Sequence, residues 1–347
     1  LDFGEMKSLE KFHFLKAVKI TMDAAIAFAE RYAALARSLA QKETEPQRKI
    51  ELGKIAEICS WVPANPARSF HEALQAIWFI LIILRIEGLG PGITLGRPDQ
   101  YLYPFFQRDL AEGKITRDEA RQLLAMLLIK INDLAILMST EFVEQLAGFP
   151  TLTNITIGGV TKEGKNAVNE LSYLFLEAEL DVGLTVEEFI IRVNKNNPDT
   201  FLMKACEVAK SLKGKLKFIS DDTTIQQFLA KGMPVEYARD YIVAGCFTPT
   251  VPAFSFDTSA AMVNLPLILE LALNNGVSRL TGRQMGPQTG DPQKFTSFDD
   301  VWNAFKKQVE AVVPKGMFLR NADRQVYAEF APCPFQSALF EGCIQKG

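Results

Sequence analysis

Histidine is nearly missing from this chain. His13 and His71 are the only two in 347 residues, so a histidine-rich metal centre is not expected. Cysteine is scarce and irregularly placed: Cys59, Cys206, Cys246, Cys333 and Cys343 are odd in number and show no CxxC spacing. That argues against a disulfide framework or a zinc ribbon, and for a reducing, cytoplasmic compartment. Charge of one sign is not in excess either. With 38 basic and 41 acidic side chains the net charge is −3, so an overall basic footprint for nucleic acid is lacking, and a local patch stays open. The longest apolar run, residues 76–84, stops after nine residues at Arg85, where a bilayer needs about 20. No signal peptide opens the chain, because its first apolar-rich stretch is amphipathic and broken by charge. An initiator methionine is absent, and the expectation is a fragment of a longer protein. What is present, 48% hydrophobic and 23% charged residues, suits a packed protein and is too apolar for disorder.

The first 150 residues read as mainly helical. Between residues 16 and 41, Ile20, Ala24, Ala27, Phe28, Tyr32, Leu35 and Leu39 recur at helical steps. A second helix is predicted over 70–87, ended by Gly88, Gly90 and Pro91, and a third over 120–137 with Thr116 as its N-cap. After Pro150 the rhythm changes. Four β-rich runs, 154–157, 189–193, 216–219 and 241–243, alternate with helix-like stretches 170–178, 199–212 and 223–230. That alternation predicts a parallel sheet with crossover helices, either a half-barrel or an open sheet. Residues 261–347 read as helices and loops, with Asn264 capping a helix over 265–275 and a loop over 281–292.

Several residues could carry chemistry. The run Gly90-Pro-Gly-Ile-Thr-Leu-Gly96 lacks dinucleotide-loop spacing and follows a helix, so it reads as a turn. Asp221 and Asp222 follow a strand, where they could hold a metal or share a proton; N-capping of the next helix is the simpler reading. Arg192, inside a strand-like run, could hold an anion or serve a structural ion pair. Cys246 stands out, because Ala244-Gly-Cys-Phe-Thr-Pro249 lifts one thiol onto a turn after a strand. No histidine is near it in sequence to act as a base, so any chemistry at Cys246 need not be polar.

Five ordered segments together resemble the glycyl radical enzymes of the pyruvate formate-lyase family. They are Phe70-His-Glu-Ala-Leu-Gln-Ala-Ile-Trp-Phe79, Gly96-Arg-Pro-Asp-Gln-Tyr-Leu-Tyr-Pro104, Asn169-Glu-Leu-Ser-Tyr173, Gly245-Cys-Phe-Thr-Pro249 and Pro334-Phe-Gln-Ser-Ala-Leu339. The stretch 269–276 and the Thr289-Gly-Asp-Pro292 loop fit as well. The resemblance implies an α/β fold: a helical N-terminal part plus the first half of a ten-stranded β/α barrel, the whole chain being a partial domain of that type. It implies that Cys246 is the site of a thiyl radical, generated by a glycyl radical on a C-terminal loop. The R-V-x-G-Y/F type motif of that loop is not in this sequence, so the fragment by itself is expected to be inactive. No cofactor is expected to stay bound. A separate activating enzyme, using S-adenosylmethionine and an iron–sulfur cluster, is implied as the partner that installs the radical, in an anaerobic cytoplasm.

Within the family, dehydratases and decarboxylases resemble Cys-x-Glu, and here Thr248 stands in place of the carboxylate. Pyruvate formate-lyase itself has adjacent cysteines, and Cys246 has none. The Cys loop therefore resembles most the fumarate-adding benzylsuccinate and alkylsuccinate synthases. That implies hydrocarbon and fumarate as substrates, Phe247, Thr248 and Arg192 as substrate-binding residues, possible small accessory subunits and a homo-oligomer, without nucleic acid, membrane or metal. Phe247, Val251 and Phe254 would suit a hydrocarbon or a core. One feature departs from that branch: no arginine lies between Arg239 and Arg279 to hold a fumarate carboxylate. The alternative is a glycyl radical lyase that uses a carboxylate outside the Cys loop, or a paralogue that has lost the radical.

Overall fold

The computed structural model describes residues 6–88, 92–134, 140–145, 153–184, 187–213, 215–245, 248–252, 263–330 and 335. They fall into two compact units, one of residues 1–257 with 333–347 and one of residues 258–332. The first unit opens with α1 (Met6–Lys42), α2 (Pro46–Trp61), α3 (Phe70–Glu87), α4 (Pro98–Tyr101), α5 (Tyr103–Ala111), α6 (Arg117–Asn132) and α7 (Thr140–Gln145). It continues with β1 (Thr153–Gly158), α8 (Glu170–Val182), β2 (Glu187–Val193), α9 (Asp199–Ser211), β3 (Lys217–Ser220), α10 (Asp221–Ala230), α11 (Val235–Arg239), β4 (Ile242–Ala244) and β5 (Thr248–Thr250). The second unit holds α12 (Leu265–Ala272) and α13 (Phe298–Phe330).

Local chemistry sets where the helices start and stop. Ser69 caps α3 through the Glu72 amide, and Thr116 forms a reciprocal capping box with Glu119 at α6. Asn169 caps α8, which ends on Gly183 in the left-handed conformation. The core face of α1 is offset from the stripe read in the sequence, of which Phe28 does pack against the core. The helix buries Ala25, Ala29, Ala33 and Ala36 instead, with Ala29 and Ala33 packed among Cys59 and Phe79. Small side chains let the packed helices approach closely. Ile20, Tyr32, Leu35 and Leu39 are left exposed.

Three of the four predicted strands form a parallel sheet in the order β1-β2-β3. Ile155 and Ile157 of β1 and Phe189 and Ile191 of β2 enter one core with Leu124, Leu128, Leu171, Phe175 and Phe201 from the helices. Burying each such side chain contributes about 1.5–3 kcal/mol. The alternate residues Asn154, Thr156, Glu188, Ile190 and Arg192 belong to the other face, since strand side chains alternate. The free edge of β1 is covered by residues 93–96: Asn154 N–H donates to Ile93 O, Leu95 N–H to Asn154 O and Thr156 N–H to Gly96 O. The part of the glycine-rich run read as a turn that is described, Gly92 to Gly96, is therefore partly strand-like.

The fourth predicted strand is not part of that sheet. β4 pairs antiparallel with β5, and this two-stranded ribbon lies on the polar face of β1 and β2. Val243 N–H donates to Thr156 Oγ1 at 3.2 Å, and Arg192 donates to Tyr241 O at 3.0 Å. Ile190, Tyr241, Val243 and Val251 form a small core between ribbon and sheet, which makes Val251 a packing residue. In the second unit, Asn264 caps α12 as read in the sequence, and α13 runs through Pro314.

Candidate functional site

Two of the family-like segments, Gly96 to Pro104 and Asn169 to Tyr173, meet at the carboxyl end of β1, where they build a buried scaffold. Arg97 donates to the carbonyls of Gly158 and Val160 and pairs with Asp240 at 3.0 Å. Asp99 accepts from the Gly158 amide at 2.9 Å and from Ser172 Oγ at 2.7 Å, and burial pushes its carboxyl up. Asn169 Nδ2 donates to Asp99 O at 2.7 Å, and Gln100 donates to Ala167 O. The Gly96 to Pro104 segment and the Asn169 to Tyr173 segment thus fasten each other around Gly158 and Gly159.

Arg192 belongs to the same scaffold. It is fully buried, donates from Nε and Nη2 to Asp221 at 2.7 and 3.0 Å, and donates further to the carbonyls of Tyr241 and Arg239. Its guanidinium also stacks 3.9 Å over the Tyr241 ring. The structure places it as a structural ion pair, with four hydrogen bonds to protein oxygens. The N-cap of α10 is Ser220, not Asp221 or Asp222. Asp221 also accepts from Tyr241 Oη and the Val160 amide, while Asp222 accepts from Asn194.

Gly245, the described residue before Cys246, lies by Asn154 at the opposite end of β1. Cys246 and Phe247, like Phe254, are outside the described residues; Thr248 is exposed and pairs with Ala244 across the ribbon. Gly245, the residue before Cys246, has φ +58° and is held by Asn154, whose Nδ2 donates to Gly245 O at 2.7 Å. The same nitrogen donates to Glu188 Oε2 at 3.1 Å, and Lys217 Nζ pairs with that oxygen at 2.7 Å. Asn154 is fully buried and its Oδ1 has no hydrogen-bond donor among the described residues. A polar chain Lys217–Glu188–Asn154–Gly245 therefore links the first turns of three strands to the backbone beside Cys246. Sequence reading missed it. The available signal was a polar residue at or next to the start of each β-rich run, where a two-sided buried strand is otherwise apolar. Among the described residues, no group of three or more His, Cys, Asp or Glu side chains is placed to hold a metal, and no helix is long and apolar enough to cross a membrane.

Comparison with known proteins gives this arrangement its context. The family model "Pyruvate formate lyase-like" matches residues 1–347. The isethionate sulfite-lyase of Nitratidesulfovibrio vulgaris is 36% identical over 344 residues, covering 97% of this chain and 41% of its own length. The trans-4-hydroxy-L-proline dehydratase of Clostridioides difficile is 32% identical over 350 residues, covering 100% and 44%. A solved structure describing 1,2-propanediol dehydration in Roseburia inulinivorans superposes with a TM-score of 0.92 at 35% identity, covering 100% of this chain and 43% of that one. The chain thus spans less than half the length of these relatives. Its α/β fold, with a helical N-terminal region ahead of a partial barrel, is the one the motifs implied, and the chain belongs to the pyruvate formate-lyase-like family of glycyl radical enzymes.

Proposed function

We propose that the full-length protein is a glycyl radical lyase that removes a small leaving group from a hydroxylated substrate. The observation that supports this most is likeness along the whole chain, by sequence and by fold, to a sulfite-lyase and to dehydratases. In this reading Cys246 takes hydrogen from a carbon bearing a hydroxyl or an amine, and the leaving group departs from the neighbouring carbon. The same sulfur then returns hydrogen to the carbon that lost the leaving group, so the net change is loss of HX and formation of a carbonyl or imine product. The radical comes from a glycine outside this chain, installed by an S-adenosylmethionine and iron–sulfur activating enzyme. The ribbon β4–β5 and the sheet face beneath it shield reactive carbon from water.

Fumarate addition is the second reading, favoured by Thr248, which cannot do a carboxylate's acid–base work. Against it stand the named activities of the relatives and the commitment of Arg192 to Asp221. One experiment separates the two. The full-length protein is activated anaerobically and given isethionate, trans-4-hydroxy-L-proline or 1,2-propanediol without fumarate, and in parallel deuterated toluene or hexane with fumarate. Release of sulfite or water with a carbonyl or imine product supports the lyase. A labelled substituted succinate, with no elimination, overturns it.

A further inference from the structure

We propose that one stripe of α13, formed by Phe298, Trp302, Phe305, Val309 and Val312, is the docking surface for an amphipathic helix of the full-length protein that lies outside these 347 residues. The stripe has this role whatever the substrate. Its residues recur at steps of four, three, four and three, the spacing that paired helices use where they meet. The rings lie in line. Phe298 and Trp302 stack with centroids 6.4 Å apart, and Trp302 and Phe305 stack at 5.8 Å, so three aromatic side chains form one ladder.

Packing inside the second unit falls mainly on another face of α13, where Ala304 is 3% exposed and Gln308 is fully buried. Gln308 donates to Pro287 O at 2.8 Å, and a Cβ on Gly286 would lie 1.9 Å from Gln308 Oε1, so that face is closed. The aromatic ladder is open: Phe298 is 76% and Trp302 46% exposed, with Phe305, Val309 and Val312 half-buried.

The occupant follows from shape, charge and area. The stripe runs about 20 Å along α13, a length and spacing that a second helix follows and that a strand or a small ligand does not. Lys306 flanks it, with the ammonium 5.9 Å from the centre of the Trp302 ring and no carboxylate paired to it among the described residues, so the incoming helix carries an acidic residue at that flank. The exposed parts of the five side chains come to roughly 400 Å², whereas a stable pair of separate chains buries about 800 Å² on each partner. A second copy meeting this stripe alone falls short of that. A helix tethered in the same polypeptide does not need it, because its effective concentration is already high. The sulfite-lyase and dehydratase relatives run to more than twice the length they share with this chain, which leaves ample polypeptide to supply such a helix.

The test uses the full-length protein with the photoreactive residue p-benzoylphenylalanine in place of Trp302, prepared as a mixture of unlabelled and heavy-isotope copies. Irradiation and peptide mass spectrometry are expected to join position 302 to a peptide from outside residues 1–347, within a single copy, and that peptide should carry an apolar helical stripe with an acidic flank. The same group in place of Lys307, an exposed residue on the opposite side of α13, should give no such adduct. An adduct joining the two isotopic forms would put a second copy on the stripe and overturn the proposal. So would an adduct to a peptide within residues 1–347, or equal yields at positions 302 and 307. A second measurement needs no substitution. Hydroxyl-radical footprinting of the unaltered full-length protein should oxidise Trp302 at least ~5-fold more slowly than in the urea-unfolded chain, as for a side chain at the core of a packed interface. Left uncovered at 46% exposure it would be slowed only about 2-fold. Any ratio below the expected one leaves the stripe in solvent and overturns the proposal.

Discussion

Arg192 and Asp221 bring opposite charges to a fully buried place, and neither can remain there without the other. Their pair is fully buried and shares its hydrogen bonds with Tyr241 and Val160. Asp221→Leu would strand the guanidinium, at a cost of about 3–5 kcal/mol. Chemical denaturation of the variant measures it. The double variant Arg192→Met/Asp221→Leu is expected to recover only part of that loss, because Tyr241 Oη and the Val160 amide still lose their acceptor. His71 offers a pH-dependent counterpart. Burial, joined by the Lys54 charge and opposed by Glu72, pulls its imidazole from 6.5 to about 4. Between those values the unfolded chain binds a proton that the folded chain does not. The His71 contribution is therefore complete above pH 6.5 and is lost as the pH falls toward 4. His71→Gln should lose less stability than the parent between pH 7 and 5 when both are unfolded in urea, and a parallel loss would refute the assignment.

At the scale of elements, the turn after β1 is the tightest joint in the sheet. Gly159 has φ +73°, and a Cβ there would lie 2.6 Å from Arg192 Nε and 2.7 Å from Asp221 Oδ2. Gly159→Ala combines left-handed strain with a clash against a buried ion pair and should cost ~2–5 kcal/mol. By contrast Thr116→Ala, which removes only the α6 cap, should cost about 1 kcal/mol. Thermal unfolding of both variants tests the ranking. Which elements were legible follows from the same local chemistry. The helix over Phe70–Glu87 carries its cap in Ser69, and the runs around Ile155, Phe189 and Phe218 carry β-branched and aromatic side chains. The direction of Ile242–Ala244 was not legible, because three apolar residues specify no partner and Gly245 turns the chain back toward Thr248. Residues 261–347 read only as helices and loops, and the single helix α13 runs on through Pro314, a residue that usually breaks a helix interior. At the site, Cys246 could be singled out by its glycine and proline neighbours. Asn154, Glu188 and Lys217 could not, since only strand register brings residues 34 and 29 positions apart beside one another.

For the molecule as a whole, the exposed apolar stripe of α1 is the least settled surface. Ile20, Tyr32, Leu35 and Leu39 are each 46–59% exposed along one helix whose alanine face is already used. Phe218 on β3 is 44% exposed as well, on a strand paired only to β2 among the described residues. Contiguous exposed apolar side chains on a packed protein mark a surface that something else covers. Relatives of this chain run to more than twice its matched length, so the rest of the full-length subunit is the natural cover. The 347-residue chain, produced alone, should therefore raise the fluorescence of 8-anilinonaphthalene-1-sulfonate several-fold over an equal concentration of the full-length protein. Ile20→Lys/Leu35→Lys should remove much of that signal from the short chain with little change in its stability. In the full-length protein the same pair would bury two charges, and its melting temperature should fall by several degrees or more. If both proteins bind the dye equally, and the double variant melts like its parent in each, the α1 stripe faces solvent throughout.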